Sequence, residues 1–274
     1  MSVILLDSSI VHYEVLGRGR PVIFLHGWVG SWRYWIASMQ VASTSYRAYA
    51  LDLWGFGDSA HNVLKYSLDD QASLLDRFLI EMGIGKIALV GHGLGALVGM
   101  TFANRFPQNV DRMMAVNCPL HIDAISTRMR TPTPSPVELT DWLSTRTPEA
   151  TTALADSSKV DGKAIADSLA GLQTNHPYNQ FRNIQKRELN SNPDPSTIPC
   201  LLVYGEKDPA IFTPDESFPL SSMTHQILLE GSGHFPMIDE TVKFNRLLTD
   251  FLALEPGVNP SELQMKDEWR RRVR

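Results

Sequence analysis

The stretch Leu89-Val-Gly-His-Gly-Leu-Gly-Ala-Leu-Val-Gly99 decides how this chain is read. The apolar run from Lys86 to Val90 leads into it, short enough for a buried strand. The run from Leu94 to Phe106 leads out of it and reads as a helix stopped at Pro107, which lacks the N–H needed to continue one. Between them the glycines specify a tight turn, and the residue at its crown is Gly93.

The same alternation extends outward. From Ser9 to Leu16 and from Pro21 to Leu25 the chain reads as strands, parted by Gly17-Arg-Gly19. Ser31 to Met39 reads as helix and Tyr46 to Leu51 as strand. Ser67-Leu-Asp-Asp70 is a capping-box-like start to an amphipathic helix that runs to Met82, and Val110 to Asn117 is a strand again. Strands alternating with helices imply a parallel sheet covered on both faces. From Pro119 to about Pro199 no strand pattern occurs. Thr131 to Glu138 (TPTPSPVE) reads as proline-rich loop, followed by helical patches at about Glu149 to Ala155, Lys163 to Leu172 and Tyr178 to Glu188. The alternation then resumes with the strand Cys200 to Tyr204, a helix near Asp215, the strand His225 to Leu229 and a helix from Glu240 to Leu252. The reading is a core, residues 1–118 and 200–254, interrupted by a helical segment, 119–199, and followed by a tail, 255–274.

Bulk properties bound the function. The 274 residues are enough for one large domain, and 43% hydrophobic with 20% charged residues is the balance of an ordinary soluble globule. A net charge of −5 spread along the chain argues against nucleic acid as the main partner. Cys118 and Cys200 each border an apolar run and read as buried free thiols, with neither disulfide nor metal spacing. The start, MSVILLDSSIVHYEV, has no basic region followed by a long apolar stretch, so a cytoplasmic protein is expected. Ile87 to Ala103 imitates a membrane span, with overlapping GxxxG spacings at Gly91, Gly95 and Gly99. Its length is marginal and glycines crowd its centre, so a strand–turn–helix is expected instead, and no membrane partner. The Arg270-Arg-Arg272 cluster in the tail reads as the end of a surface helix whose arginines complement the helix dipole.

Taken alone, Gly91, Gly93 and Ala96 match the G-x-G-x-x-A form of the dinucleotide fingerprint. That chemistry also needs a carboxylate about 20 residues on, at the end of the next strand, to hold a ribose hydroxyl. Here that strand ends in Asn117, so no nucleotide cofactor is expected.

Four further stretches fall just past predicted strands: Phe24-Leu-His-Gly-Trp28, Leu51-Asp-Leu-Trp-Gly-Phe-Gly-Asp-Ser59, Val203-Tyr-Gly-Glu-Lys-Asp-Pro-Ala-Ile211 and Gly231-Ser-Gly-His-Phe-Pro-Met-Ile-Asp239. Carboxyl ends of strands are where open α/β sheets build their sites. In this order and spacing the five motifs resemble the α/β-hydrolase family over about Ser9 to Leu254. The resemblance implies an α/β fold: a mostly parallel eight-stranded sheet with helices on both faces and a helical cap inserted after the sixth strand. It also implies that Asp208 and His234 are the acid and the histidine of the site, and that the backbone N–H groups of Trp28 and Leu94 form the oxyanion hole.

The departure is at the elbow, where the family pattern G-x-S-x-G meets Gly91-His92-Gly93-Leu94-Gly95. Glycine has no side chain to attack a carbonyl. Loss of a catalytic serine in a triad enzyme costs on the order of a million-fold in turnover, so acyl-enzyme chemistry through Gly93 is excluded. Ser31, Ser59 and Ser232 neighbour the motifs, but none is on a strand-to-helix elbow and each reads as a turn former. The side chain of His92 is expected to point away from the Gly93 position, toward packing.

Three readings follow. The first is an enzyme acting on a small, mainly apolar ester-like or carbonyl substrate through the Asp208–His234 dyad and the oxyanion hole, with no metal or cofactor. The second is a catalytically silent protein that binds a small molecule. The third is a nucleophile-less variant made from a serine esterase. The dyad and oxyanion loop favour the first. Trp142, Tyr178 and Phe181 supply aromatics to the cap without naming a substrate, and no pattern specifies an oligomer.

Overall fold

In a computed structural model the chain is described over residues 2–130, 135–144, 147–175, 177–185, 197–214, 220–255 and 258–263. Eight strands form one sheet: β1 (Ser2–Leu6), β2 (Ser9–Gly17), β3 (Arg20–Leu25), β4 (Tyr46–Leu51), β5 (Ile87–His92), β6 (Val110–Val116), β7 (Cys200–Gly205) and β8 (Thr224–Leu229). Their spatial order is β1-β2-β4-β3-β5-β6-β7-β8. The β1–β2 and β2–β4 pairs are antiparallel; every other pair is parallel. The fold is the expected α/β architecture. β1, which the sequence reading did not anticipate, adds an edge strand through the register Ser2↔Tyr13 to Leu6↔Ser9.

The helices are α1 (Ile36–Ala42), α2 (Leu68–Glu81), α3 (Leu94–Arg105), α4 (Thr127–Arg130), α5 (Pro136–Leu143), α6 (Pro148–Ala153), α7 (Gly162–Asn175), α8 (Pro177–Gln185), α9 (Pro236–Asp239) and α10 (Thr241–Ala253). α1 packs on α10 and α2 on α3, sandwiching the sheet. Helices α4 to α8 all fall between β6 and β7. The stretch read as proline-rich loop ends sooner than expected. Ser135 caps α5 in a full capping box with Glu138, and Pro136 takes the first helical position, where its missing N–H costs nothing. The helix expected near Asp215 and the Arg270–Arg272 cluster lie outside the described residues. No helix among the described residues is long and apolar enough to cross a membrane.

What positions the site is the change of direction in the sheet. The chain goes from β3 to β4 on one side and then to β5 on the other, so the connections that leave the paired ends of β3 and β5 part in opposite directions at their shared carboxyl edge. There β5 turns into α3 through Gly93, whose φ of 48° and ψ of −109° suit a residue without Cβ. The backbones then meet almost directly. A Cβ on Gly91 would lie 2.5 Å from the Ala96 nitrogen, and one on Gly95 would run into the Leu25 carbonyl.

Gly99 faces a softer neighbour: its added Cβ would come 3.4 Å from the flexible end of Met113. Gly95→Ala is therefore expected to destabilise by about 3 kcal/mol or more, because backbone must move. Gly99→Ala should be near neutral, helped by helix propensity of up to about 1 kcal/mol. Chemical denaturation of the two variants beside the parent measures both, and equal losses would refute this account of the elbow.

Candidate active site

His234 follows β8, and Asp208 follows β7. Nδ1 of His234 stands 2.9 Å from Oδ2 of Asp208, with side chains 0% and 1% exposed. The carboxylate is itself oriented, because its Oδ1 accepts the backbone N–H groups of Ala210 at 2.8 Å and Ile211 at 3.2 Å. Nδ1–H is thus fixed as the donor and Nε2 carries the lone pair. Among the described residues nothing hydrogen-bonds to Nε2, although it is fully buried.

The histidine is also held by its main chain. Its carbonyl accepts Nε2–H of His92 at 2.8 Å and Nδ2–H of Asn117 at 2.9 Å. Asn117, at φ 43°, receives the Gly205 N–H on its Oδ1 at 2.8 Å, so one side chain ties the end of β7 to the His234 loop. The His92 ring does more than pack. Its Nδ1 is 3.1 Å from the Tyr34 hydroxyl, which in turn accepts the backbone N–H of Gly27. Because Nε2 faces a carbonyl, Nδ1 must accept, and Tyr34 must donate to it. Burial raises the pKa of Tyr34, which keeps that proton in place. Burial, and then the adjacent His234, hold the pKa of His92 well below the ordinary histidine value.

The loop after β3 is clamped from the other side. Nδ1 of His26 donates to the Gly27 carbonyl at 2.8 Å, and its Nε2 accepts the Leu53 N–H at 3.0 Å. Burial lowers the pKa of His26, so this imidazole is neutral with one tautomer. The Gly27 carbonyl and the Trp28 N–H belong to one peptide plane and point opposite ways, so the His26 bond aims the Trp28 N–H. Neither that N–H nor the Leu94 N–H has an acceptor among the described residues, and Gly93 offers α3 no side-chain cap. Two free N–H donors and a histidine lone pair border an elbow without a side chain. Such a set can hold a carbonyl and take a proton from water.

The serines weighed from the sequence are engaged elsewhere. Ser31 bonds Asp156 at 3.4 Å, Ser59 donates to the Asp52 carbonyl at 2.6 Å, and Ser232 donates to Leu229 at 2.9 Å. The glycine-rich loop after β4 is a brace. Asp52 accepts from Trp32, Asp58 and His12, joining that loop to β2. Burial opposes a charge on His12, but the bond to Asp52, with Asp58 and Glu14 nearby, outweighs it and raises its pKa. His12, Asp52 and Asp58 are close enough to share an ion. Lys159 is already on Asp58 at 2.7 Å, and the Asp52 oxygens are filled by donors. Cys118 and Cys200 are buried free thiols, as expected. Sequence reasoning missed Tyr34 and His26 as clamps and saw Asn117 only as a missing acid. Only the adjacency of His26 to Gly27 was a signal.

A family model described as "Alpha/beta hydrolase family" matches residues 22–247. Among curated proteins, "Putative carbamate hydrolase RutD" of Escherichia coli O7:K1 (strain IAI39 / ExPEC) is 26% identical over 254 residues, 85% of this chain and 91% of that protein. The protein of the same name from Shigella flexneri is 35% identical over 108 residues, covering 39% of this chain and 41% of its own. Two solved structures share the fold. N-acyl homoserine lactonase AidH complexed with N-butanoyl homoserine superposes with a TM-score of 0.77 at 16% identity, covering 97% of this chain and 98% of that one. The esterase EaEST from Exiguobacterium antarcticum gives 0.74 at 17% identity, covering 92% and 99%.

The buried histidines set a pH dependence. His26 and His92 are neutral in the fold, whereas unfolded histidine takes up a proton below about pH 6.5. The unfolded state then binds more protons, so stability falls as pH drops below that value, by up to about 1.4 kcal/mol per pH unit for each group. His92→Gln keeps a donor for His234 and an acceptor for Tyr34 but does not titrate. Urea midpoints at pH 5 and pH 7 should show a shallower acid loss for this variant than for the parent.

Proposed function

The chain belongs to the alpha/beta hydrolase family, and from that premise we propose that it hydrolyses a small, mainly apolar carbonyl substrate without a covalent intermediate. The class includes esters and, following the name of the RutD relatives, carbamates. The observation that carries this reading is His234, fixed through its carbonyl and through Nδ1, with Nε2 buried and bonded to no described residue.

The chemistry follows from the groups present. Nε2 of His234 takes a proton from water as the water oxygen bonds to the substrate carbonyl carbon. The oxygen of the tetrahedral intermediate gains charge and is met by the N–H groups of Trp28 and Leu94. Asp208 holds the imidazole in its reactive tautomer and stabilises the imidazolium. The carbonyl re-forms, the bond to the leaving oxygen or nitrogen breaks, and His234 returns its proton to that atom. An acid and an alcohol or amine leave, and the histidine is neutral again.

A binding role without turnover is the second reading, favoured by Gly93 and by the indole of Trp28 seated on it. A Cβ at position 93 would come 3.0 and 3.1 Å from that ring. A serine there would have to displace the indole by a few tenths of an ångström and hold a backbone conformation costing about 1–3 kcal/mol. The pairing of glycine with indole also weighs against an engineered serine-to-glycine change.

Hydrolysis of 4-nitrophenyl acetate and a 4-nitrophenyl carbamate tests the proposal. The parent should turn over without a burst and without an acyl adduct by mass spectrometry. His234→Ala should lower kcat by about 10²–10⁴-fold. An acyl adduct, or activity indifferent to His234, would sink the mechanism. A silent parent beside an active Gly93→Ser would favour the binding role.

A further inference from the structure

Ser168 lies inside α7, in the helical segment between β6 and β7, and is fully buried. Its hydroxyl donates to the Ile165 carbonyl one turn back, at 2.8 Å, which leaves its lone pairs facing outward from the helix. Nε1–H of Trp28 donates to it at 2.9 Å. Trp28 is also fully buried, and the six-membered part of its indole is what a Cβ on Gly93 would touch. Trp28 therefore joins three places: a helix of the inserted segment, the elbow, and the peptide after β3 whose N–H has no acceptor among the described residues.

The backbone side of that peptide is clamped by His26 and Tyr34. The ring side has no restraint from position 93, because glycine offers none. Within its core packing, the one hydrogen bond on the indole among the described residues is the one from Nε1–H to the hydroxyl of Ser168. Helix α7 has other anchors near its start: Asp161 donates its N–H to the Gly55 carbonyl at 2.8 Å, and its carboxylate accepts the Tyr66 hydroxyl at 2.7 Å. Ser168 is seven residues, about two turns, further along, so removing the hydroxyl leaves the start of α7 anchored while its middle is released from the indole.

We propose that Ser168 is a positioning residue that couples the inserted helices to the oxyanion loop. By holding the Trp28 indole over Gly93 it adds a side-chain restraint to the peptide that His26 and Tyr34 orient, so the donor pair is held from both sides only while the middle of α7 stays bonded to the indole. The catalytic consequence rests on the hydrolytic reading above; the mechanical coupling does not. Coupling between two sites is reciprocal, so loosening the loop must loosen α7 by the same factor.

Hydrogen exchange followed by mass spectrometry on the full chain tests this. Ser168→Ala should speed exchange in the peptide covering residues 26–31 about tenfold or more, since an indole N–H is left buried without its acceptor. Trp28→Phe should speed exchange across residues 163–172 by a comparable factor. Residues 87–92 of β5 serve as reference and should stay at the parental rate. Thr101→Ala removes a different bond to the inserted helices, from Thr101 to Gln180 at 2.9 Å, and should leave residues 26–31 unchanged. Unchanged loop exchange in Ser168→Ala would overturn the proposal. So would equal acceleration by Thr101→Ala, which would reduce Ser168 to general packing. With 4-nitrophenyl acetate, Ser168→Ala should lower kcat about tenfold with KM within about twofold. A parent that is silent on this ester speaks against the hydrolytic reading alone, and exchange still decides the coupling.

Discussion

The close approach of α3 to the ends of β3 and β5 is the constraint from which the rest of the carboxyl edge follows. Helix and strands meet there backbone to backbone, at Gly91 and Gly95, and the chain makes the turn between them through a positive φ at Gly93. Only with these glycines can α3 start so close to the ends of β3 and β5, where its uncapped first N–H groups carry the positive end of the helix dipole. In a nucleophile elbow the same strained turn presents a side chain. Here the turn is kept and holds a residue for which the conformation is nearly free of strain, while the indole of Trp28 takes up the room beside it.

Three buried histidines around this point have no freedom in their tautomers. His26 carries its proton on Nδ1 because the Gly27 carbonyl faces that atom and the Leu53 N–H faces the other. His92 carries it on Nε2 because the His234 carbonyl is there. His234 carries it on Nδ1 because Asp208 is there. Among their six ring nitrogens, five are matched by protein groups, and the sixth is Nε2 of His234. The path from the Gly27 N–H through Tyr34 and His92 to the His234 carbonyl links the loop after β3 with the loop after β8 by directed hydrogen bonds.

The fold was legible because its signals are local. Glycine-rich turns after apolar runs, and amphipathic segments such as Leu68–Glu81, each express a preference that tertiary packing did not override. β1 escaped because its alternating exposure depends on pairing with β2, which no local pattern announces. The start of α5 escaped because three prolines outweighed the cap, although Ser135 and Glu138 carried the capping-box spacing. Asp208 and His234 were singled out from their order after strands and from the family resemblance, and the structure sets them 2.9 Å apart. Tyr34 and Ser168 were not singled out. Each acts through a partner 7 and 140 residues away, and a tyrosine or serine carries no mark of such a contact. Asn117 was read for the acid it lacks, whereas its function here is to span two loops with one amide.

The cost of the arrangement bears on which reading of the site is better supported. Leaving a buried polar atom without a partner costs about 1–3 kcal/mol, and keeping a carboxylate in the same buried pair adds to the burden. A pocket that only holds an apolar ligand has no use for that expense, since an apolar side chain at position 234 would remove it. At position 234 the expense falls on Nε2, the atom that the proposed water-based hydrolysis needs as a proton acceptor, although other buried atoms such as Nε1 of Trp35 also have no partner among the described residues. His26, His92, Tyr34 and Asn117 all serve to keep the peptides on either side of it in place. With glycine at the elbow there is no side chain for a covalent route, and the Nε2 lone pair with the free N–H groups of Trp28 and Leu94 is what the proposed attack by water would draw on.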